Sequence, residues 1–261
     1  MTRSSRFVRL FSGTLLLAGA ALLALTPLAS PRQNVLYIGN SLIASNTLPH
    51  LVFEMARSQG QRTAYTQHTP GGARLADHAT HAGLRAAIRD TAWDLVVIQE
   101  QSQYSGFSDR QVERDVLPFA AQIIRDVRSH NPAARIVLYQ TMAHKDGDQQ
   151  NKRVVPGVGT YAGMQRRINR TYDTIAMRNG ASVAPVGTAW MTFRTRHPDL
   201  ELYRDDRHPN PLGSYLVACV LFAVLFERPC ASTPLPEGLD LPAARAAQSV
   251  ADQTVAEHRG P

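Results

Sequence analysis

Asn34-Val35-Leu36-Tyr37-Ile38-Gly39-Asn40-Ser41-Leu42 is an apolar run that stops at a glycine and continues into a serine. Residues 35–38 read as a short buried strand. Residues 47–58 then carry Leu48, Leu51, Val52 and Met55 at helical spacing, up to Gly60. The alternation repeats outward from this unit. Residues 63–66 predict an edge-like strand, Pro70-Gly71-Gly72 a loop, and 75–88 a helix. Residues 93–98 are the clearest central strand, and 111–127 an amphipathic helix that Pro118 kinks or starts. A strand over 134–139, a polar loop over 143–157, a helix over 161–178, a strand over 181–186 and a core helix over 211–226 complete the series. Strands alternating with helices predict a parallel sheet covered on both faces.

Length and charge bound the rest. The 261 residues predict one sizeable domain over 32–230, preceded by a leader over 1–31 and followed by a tail over 231–261 with a surface helix over 242–257. In the leader, Arg3, Arg6 and Arg9 precede an apolar stretch over 10–28, the pattern of a secretory signal or a membrane anchor. Leu28-Ala29-Ser30 offers a cleavage site, but Pro31 is a poor neighbour for a signal peptidase, so cleavage and retention both stay open. Either way the chain is expected to be exported, to the periplasm or beyond, with membrane attachment if the leader is kept. The net charge of +7 falls to +4 without the three leader arginines. No basic cluster is interleaved with aromatics, so nucleic acid is not an expected partner. Cys219 and Cys230 either bridge or remain one buried and one exposed thiol, because a helix running through Cys219 separates them unless the chain folds back.

In a parallel sheet of this kind ligands bind beyond the carboxyl ends of the strands. Three loops leave strands there: Gly39-Asn40-Ser41, Pro70-Gly71-Gly72 and residues 99–103. Ser41 sits at a strand-to-helix turn, where backbone amides and the helix dipole favour negative charge. Its plainer reading is a turn in which Ser41 or Ser45 caps the helix. Near the end, Asp205-Asp206-Arg207-His208-Pro209 puts a carboxylate three residues before an imidazole, close enough to fix the tautomer of His208. The plainer reading is a pair of exposed acids before a helix. His78 and His81 would share one helix face as some zinc ligands do, but no third ligand accompanies them, and no metal is expected. His144 and His258 are expected to be solvated.

Together, Ile38-Gly39-Asn40-Ser41-Leu42, the glycine loop and Asp205-x-x-His208-Pro209 resemble the SGNH (GDSL-type) hydrolases, in particular the bacterial branch with Gly-Asn-Ser in the first block. The resemblance spans residues 34–226. It implies a flavodoxin-like three-layer α/β/α sandwich with a central parallel sheet, with Ser41 as nucleophile, His208 as general base and Asp205 as orienting acid. It also implies an oxyanion hole made by the N–H groups of Ser41 and Gly72 and a side-chain amide. The chain departs from the family at Asn40, where an acid is usual, and in its third block, which reads Gln99-Glu100-Gln101-Ser102-Gln103-Tyr104 rather than Gly-x-Asn-Asp. Counting without gaps puts Gln103 at the amide position, with Gln99 and Gln101 as rivals. The expected activity is hydrolysis of a small-acyl ester, for example of an acetylated carbohydrate, without a metal or organic cofactor. The alternatives are a non-catalytic carbohydrate- or envelope-binding domain and a membrane-associated thioesterase or lysophospholipase.

Overall fold

The computed structural model describes residues 32–259, so the leader lies outside the described residues. Five parallel strands form one sheet: β1 (Gln33–Ile38), β2 (Thr63–His68), β3 (Leu95–Ile98), β4 (Arg135–Tyr139) and β5 (Ser182–Ala184), in the order β2-β1-β3-β4-β5. Successive side chains of a strand point to opposite faces. Thus Val35 and Tyr37 join Leu95, Val97, Val137 and Tyr139 in one core, while Leu36 and Ile38 join Val96, Ile98, Ile136 and Leu138 in the other. Burial on both faces is why these strands are written as nearly unbroken apolar runs.

The helices are α1 (Ser41–Ala44), α2 (Leu48–Ser58), α3 (Leu75–Thr80), α4 (Ala82–Asp90), α5 (Ser102–Ser105), α6 (Asp109–Asp115), α7 (Leu117–His130), α8 (Tyr161–Asn179), α9 (Val186–Arg196), α10 (Pro211–Phe226) and α11 (Leu241–Arg259). One face of the sheet carries α2, α9, α10 and α11; the other carries α3, α4, α6, α7 and α8. The result is a three-layer α/β/α sandwich. Its strand order is flavodoxin-like, with the switch point between β1 and β3, where ligand clefts open in such sheets.

Several elements differ from the sequence expectation. The helix over 75–88 is broken at His81, whose backbone is extended and whose Nδ1 accepts from Leu84 N to cap α4. Pro118 lies in the first turn of α7, where its missing N–H costs nothing, and the chain restarts there after α6. Helix α9 is unforeseen: Val186, Ala189, Trp190 and Phe193 bury one side of it, but it begins after Pro185 with no side-chain cap to announce it. The tail is also more than a surface appendage. Ala244, Ala247, Val250, Ala251 and Val255 of α11 belong to the same core as α10, so the globular body runs past residue 230. That packing leaves α10 apolar all round, with every residue from Gly213 to Leu225 buried. No helix among the described residues is long and apolar enough to cross a membrane.

The cysteine question is answered by a chain reversal. Glu227 ends α10 in the left-handed region (φ 56°), which turns the chain back. Cys230 thereby comes to a Cα–Cα distance of 5.1 Å from Cys219, and the two form a disulfide.

Candidate active site

The register Ile38↔His68 and Ile38↔Ile98 brings the ends of β1, β2 and β3 level, so the loops after them meet. Gly39 is required by a close approach: any side chain there would collide with the Gln99 side chain and with Ile43. Asn40, only 2 % exposed, organises the turn. Its Oδ1 accepts from Leu42 N (3.1 Å), its Nδ2 donates to Ala73 O (2.9 Å), and its N donates to Gln99 Oε1 (2.9 Å). Asn40 is therefore the N-cap of α1, and Ser41 is the first helical residue. Asparagine serves here because the site uses one acceptor and one donor, and a carboxylate would supply only acceptors.

The second half of the site is a tight loop between α9 and α10. Arg204 N donates to His208 O (2.9 Å) and Asn210 N to Leu202 O (2.8 Å), and Tyr203 bridges Pro209. Within it the Asp205 carboxylate accepts from the backbone N of His208 (2.7 Å) and of Arg207 (2.8 Å), and from His208 Nδ1 at 3.0 and 3.2 Å. Partial burial pushes the Asp205 pKa up, but these hydrogen bonds and the imidazole outweigh it and hold it down at about 2. With Nδ1 committed to Asp205, Nε2 of His208 faces Ser41 Oγ at 3.0 Å. The structure thus brings Ser41, His208 and Asp205 into one chain of hydrogen bonds.

The two halves are tied directly. Asn46, between α1 and α2, donates through Nδ2 to Pro209 O (3.1 Å) and Ser214 Oγ (2.8 Å). Asn46 and Thr47 both hold positive φ (49° and 52°), a strain that non-glycine residues carry only where the surroundings enforce it. Sequence reading missed Asn46, and no local motif marks it.

The third block departs from the gapless count. Gln103 does not line the cleft; its Nε2 donates to Asp148 Oδ2 (3.0 Å) and Gln150 Oε1 (3.1 Å), so its amide is spent on the loop after β4. Asp148 is the buried hub of that loop, accepting also from Gln150 N, Asn151 N and Asn151 Nδ2. Gln99 is fully buried and occupied at both ends, by Asn40 N and by Glu100 O. The third candidate, Gln101, lines the cleft with Ser41, Gly72 and His208. Its Oε1 caps α5 by accepting from Gln103 N (2.7 Å) and Tyr104 N (3.2 Å), while its Nε2 has no acceptor among the described residues. The backbone N–H groups of Ser41 and of Gly72, which holds a left-handed φ of 70°, are likewise unengaged among the described residues. Three N–H groups without partners, on residues that line the same cleft as the Ser41 hydroxyl, are the kind of donors an oxyanion needs.

The cleft holds about 190 Å³ and is lined by Asn40, Ser41, Leu42, Gly72, Gln101, Ser102, His144, Arg207 and His208. Leu42 is its only apolar side chain. His144, expected in solvent, is instead only 6 % exposed. Beneath the cleft lies Glu100, whose carboxyl is fully buried against the N–H groups of Leu75 and Gln101; burial dominates and pushes its pKa up to about 8. His78 does not share a helix face with His81. It is buried, with Nε2 donating to Gly39 O (2.8 Å) and Nδ1 against His68 Nδ1 (3.1 Å), and burial pushes its pKa down. Among the described residues no group of three or more His, Cys, Asp or Glu is arranged to hold a metal ion.

The family model described as "Domain of unknown function (DUF4886)" matches residues 34–254. No curated protein matches the sequence. Among solved structures, a DUF4886 family protein from Bacteroides uniformis superposes with a TM-score of 0.75 at 22% identity, covering 86% of this chain and 95% of that one. A candidate SGNH hydrolase from Slackia heliotrinireducens gives 0.60 at 28% identity, covering 75% and 100%. An acetyl xylan esterase gives 0.55 at 16% identity, covering 74% and 99%.

Proposed function

The chain belongs to the DUF4886 family, and from its likeness in fold to SGNH hydrolases and esterases and from the geometry around Ser41 we propose that it is a serine hydrolase cleaving small-acyl esters, such as acetyl esters of a carbohydrate. The observation that carries the reading is Ser41 Oγ at 3.0 Å from His208 Nε2, with Asp205 hydrogen-bonded to Nδ1 behind it. Asp205 fixes the tautomer in which Nε2 is free to accept a proton. Ser41 Oγ attacks the ester carbonyl as His208 takes its proton, and the developing oxyanion rests on Ser41 N, Gly72 N and Gln101 Nε2. His208 then protonates the departing alcohol, and water, activated by the same imidazole, releases the acid and restores Ser41.

The size and lining of the cleft support a short acyl group. At about 190 Å³ it is smaller than the pockets that enclose drug-sized ligands, and Leu42 alone would meet an acyl chain. A thioesterase or lysophospholipase would need an apolar channel that these residues do not supply. The Cys219–Cys230 disulfide, together with the basic and apolar leader of the sequence, supports an exported protein in an oxidising compartment. Steady-state hydrolysis of p-nitrophenyl acetate against p-nitrophenyl palmitate tests the reading. The acetate is turned over and the palmitate is poor; S41A abolishes turnover. Preference for the palmitate would refute the small-acyl assignment.

A further inference from the structure

His144 is a titratable side chain of the cleft that the acyl-transfer steps leave unused. It is 6 % exposed, and both ring nitrogens lack a hydrogen-bond partner among the described residues. The ring nitrogens are not among the sealed, unsatisfied polar atoms, so a side chain that is otherwise buried presents them to the open space of the cleft, where a ligand can meet them. Nor is it a mobile loop residue. Ala143 N donates to Gln165 Oε1 (2.8 Å), and Ala143 O accepts from Tyr203 Oη–H (2.7 Å). Lys145 N donates to Asp206 O (2.8 Å). The residues on both sides of His144 are thereby pinned, and two of these bonds go to the loop that carries Asp205 and His208.

That attachment sets which part of a substrate His144 meets. The oxyanion donors come from the turns after β1, β2 and β3. The departing alcohol must lie by His208 Nε2, which protonates it; Arg207 adjoins His208 in the chain, and the residues flanking His144 are bonded to that same loop. Burial, then the Arg207 guanidinium, lowers the His144 pKa, and Asp148 and Asp206 only partly oppose this. The neutral ring offers one N–H donor and one acceptor, which is the complement of a hydroxyl group.

We propose that His144 is a specificity-determining residue that binds a hydroxyl group on the alcohol side of the ester, so that the enzyme favours esters of polyhydroxylated alcohols over esters of plain or aromatic ones. The inference rests on the serine-hydrolase reading and adds to it a residue and a direction of selectivity.

The test compares kcat/KM for two acetates, a mono-acetylated methyl xyloside and p-nitrophenyl acetate, in wild type, H144F and H144N. The phenyl ring of H144F fills the same space without a donor or acceptor, whereas H144N keeps one of each and guards against misfolding of the bulkier variant. The ratio of kcat/KM for the xyloside ester to that for p-nitrophenyl acetate falls about tenfold or more in H144F. The loss is carried by KM, and H144N recovers part of it. A residue that merely supported the fold would depress both substrates alike. An unchanged ratio in both variants overturns the proposal. So does a wild type that hydrolyses p-nitrophenyl acetate but no hydroxylated ester, an outcome that leaves the serine-hydrolase reading standing.

Discussion

Replacing Gln101 by glutamate separates the two glutamines that compete for the oxyanion. Q101E keeps an oxygen where Oε1 caps α5, so the hydrogen bonds from Gln103 N and Tyr104 N survive, and the cap, worth about 1 kcal/mol, is retained. What it removes is the Nε2 donor facing the cleft. Loss of one such donor costs about 2.7–4 kcal/mol of transition-state stabilisation, a factor of about 10²–10³ in kcat. The introduced carboxylate adds repulsion of the developing oxyanion and pushes the loss to the upper end. KM changes little, since the donor acts on charge absent from the ground state. Q103A removes two hydrogen bonds, at 3.0 and 3.1 Å, that hold the loop after β4 to α5. It therefore lowers stability by about 1–2 kcal/mol while kcat stays within about fivefold. The assay is steady-state p-nitrophenyl acetate hydrolysis with a melting curve for each variant. A hundredfold kcat loss in Q103A with near-normal turnover in Q101E would refute the assignment of the oxyanion hole.

Three further outcomes follow from the same geometry. The folded-state pKa of Glu100, about 8, lies above its ordinary value near 4.5, so its contribution to stability is full below about pH 4.5 and is lost as pH rises through 8. In urea titrations across that window, stability relative to E100Q declines by about 1.4 kcal/mol per pH unit, and a flat difference would show that Glu100 is ionised when folded. N46A loses both ties to the His208 segment and strains a left-handed backbone, lowering stability by about 1–2 kcal/mol and turnover several-fold; N46G regains stability but not turnover, and full recovery of both would show that the ties do not matter. Converting both cysteines to alanine lowers unfolding stability by about 2–3 kcal/mol, read by chemical denaturation under oxidising conditions, and no change would contradict a structural bridge.

What could be read in advance was what adjacent residues encode. The apolar strands announce themselves because both their faces are buried, and Asp205 and His208 meet within one short loop, so their pairing is written locally. The third block differs from its sequence expectation for a physical reason. A gapless count treats the chain as a ruler, whereas Gln101 is held at the cleft by capping α5 and Gln103 points one turn onward to Asp148. His144 was misplaced because its loop is polar in composition; burial there comes from Gln165, Tyr203 and Asp206, far off in sequence. The C-terminal helix was underrated because an alanine-rich face is weakly hydrophobic, and its packing value comes from close approach to α10.

Covalent capture reads whether Ser41 is a nucleophile activated by His208, without choosing a substrate. Purified protein is incubated with a fluorophosphonate, digested, and the modified peptide located by mass spectrometry. A single adduct forms on Ser41, is lost in S41A and is strongly slowed in H208A. An intact, folded wild type that takes no label at Ser41, or labels equally fast without His208, would contradict that activation.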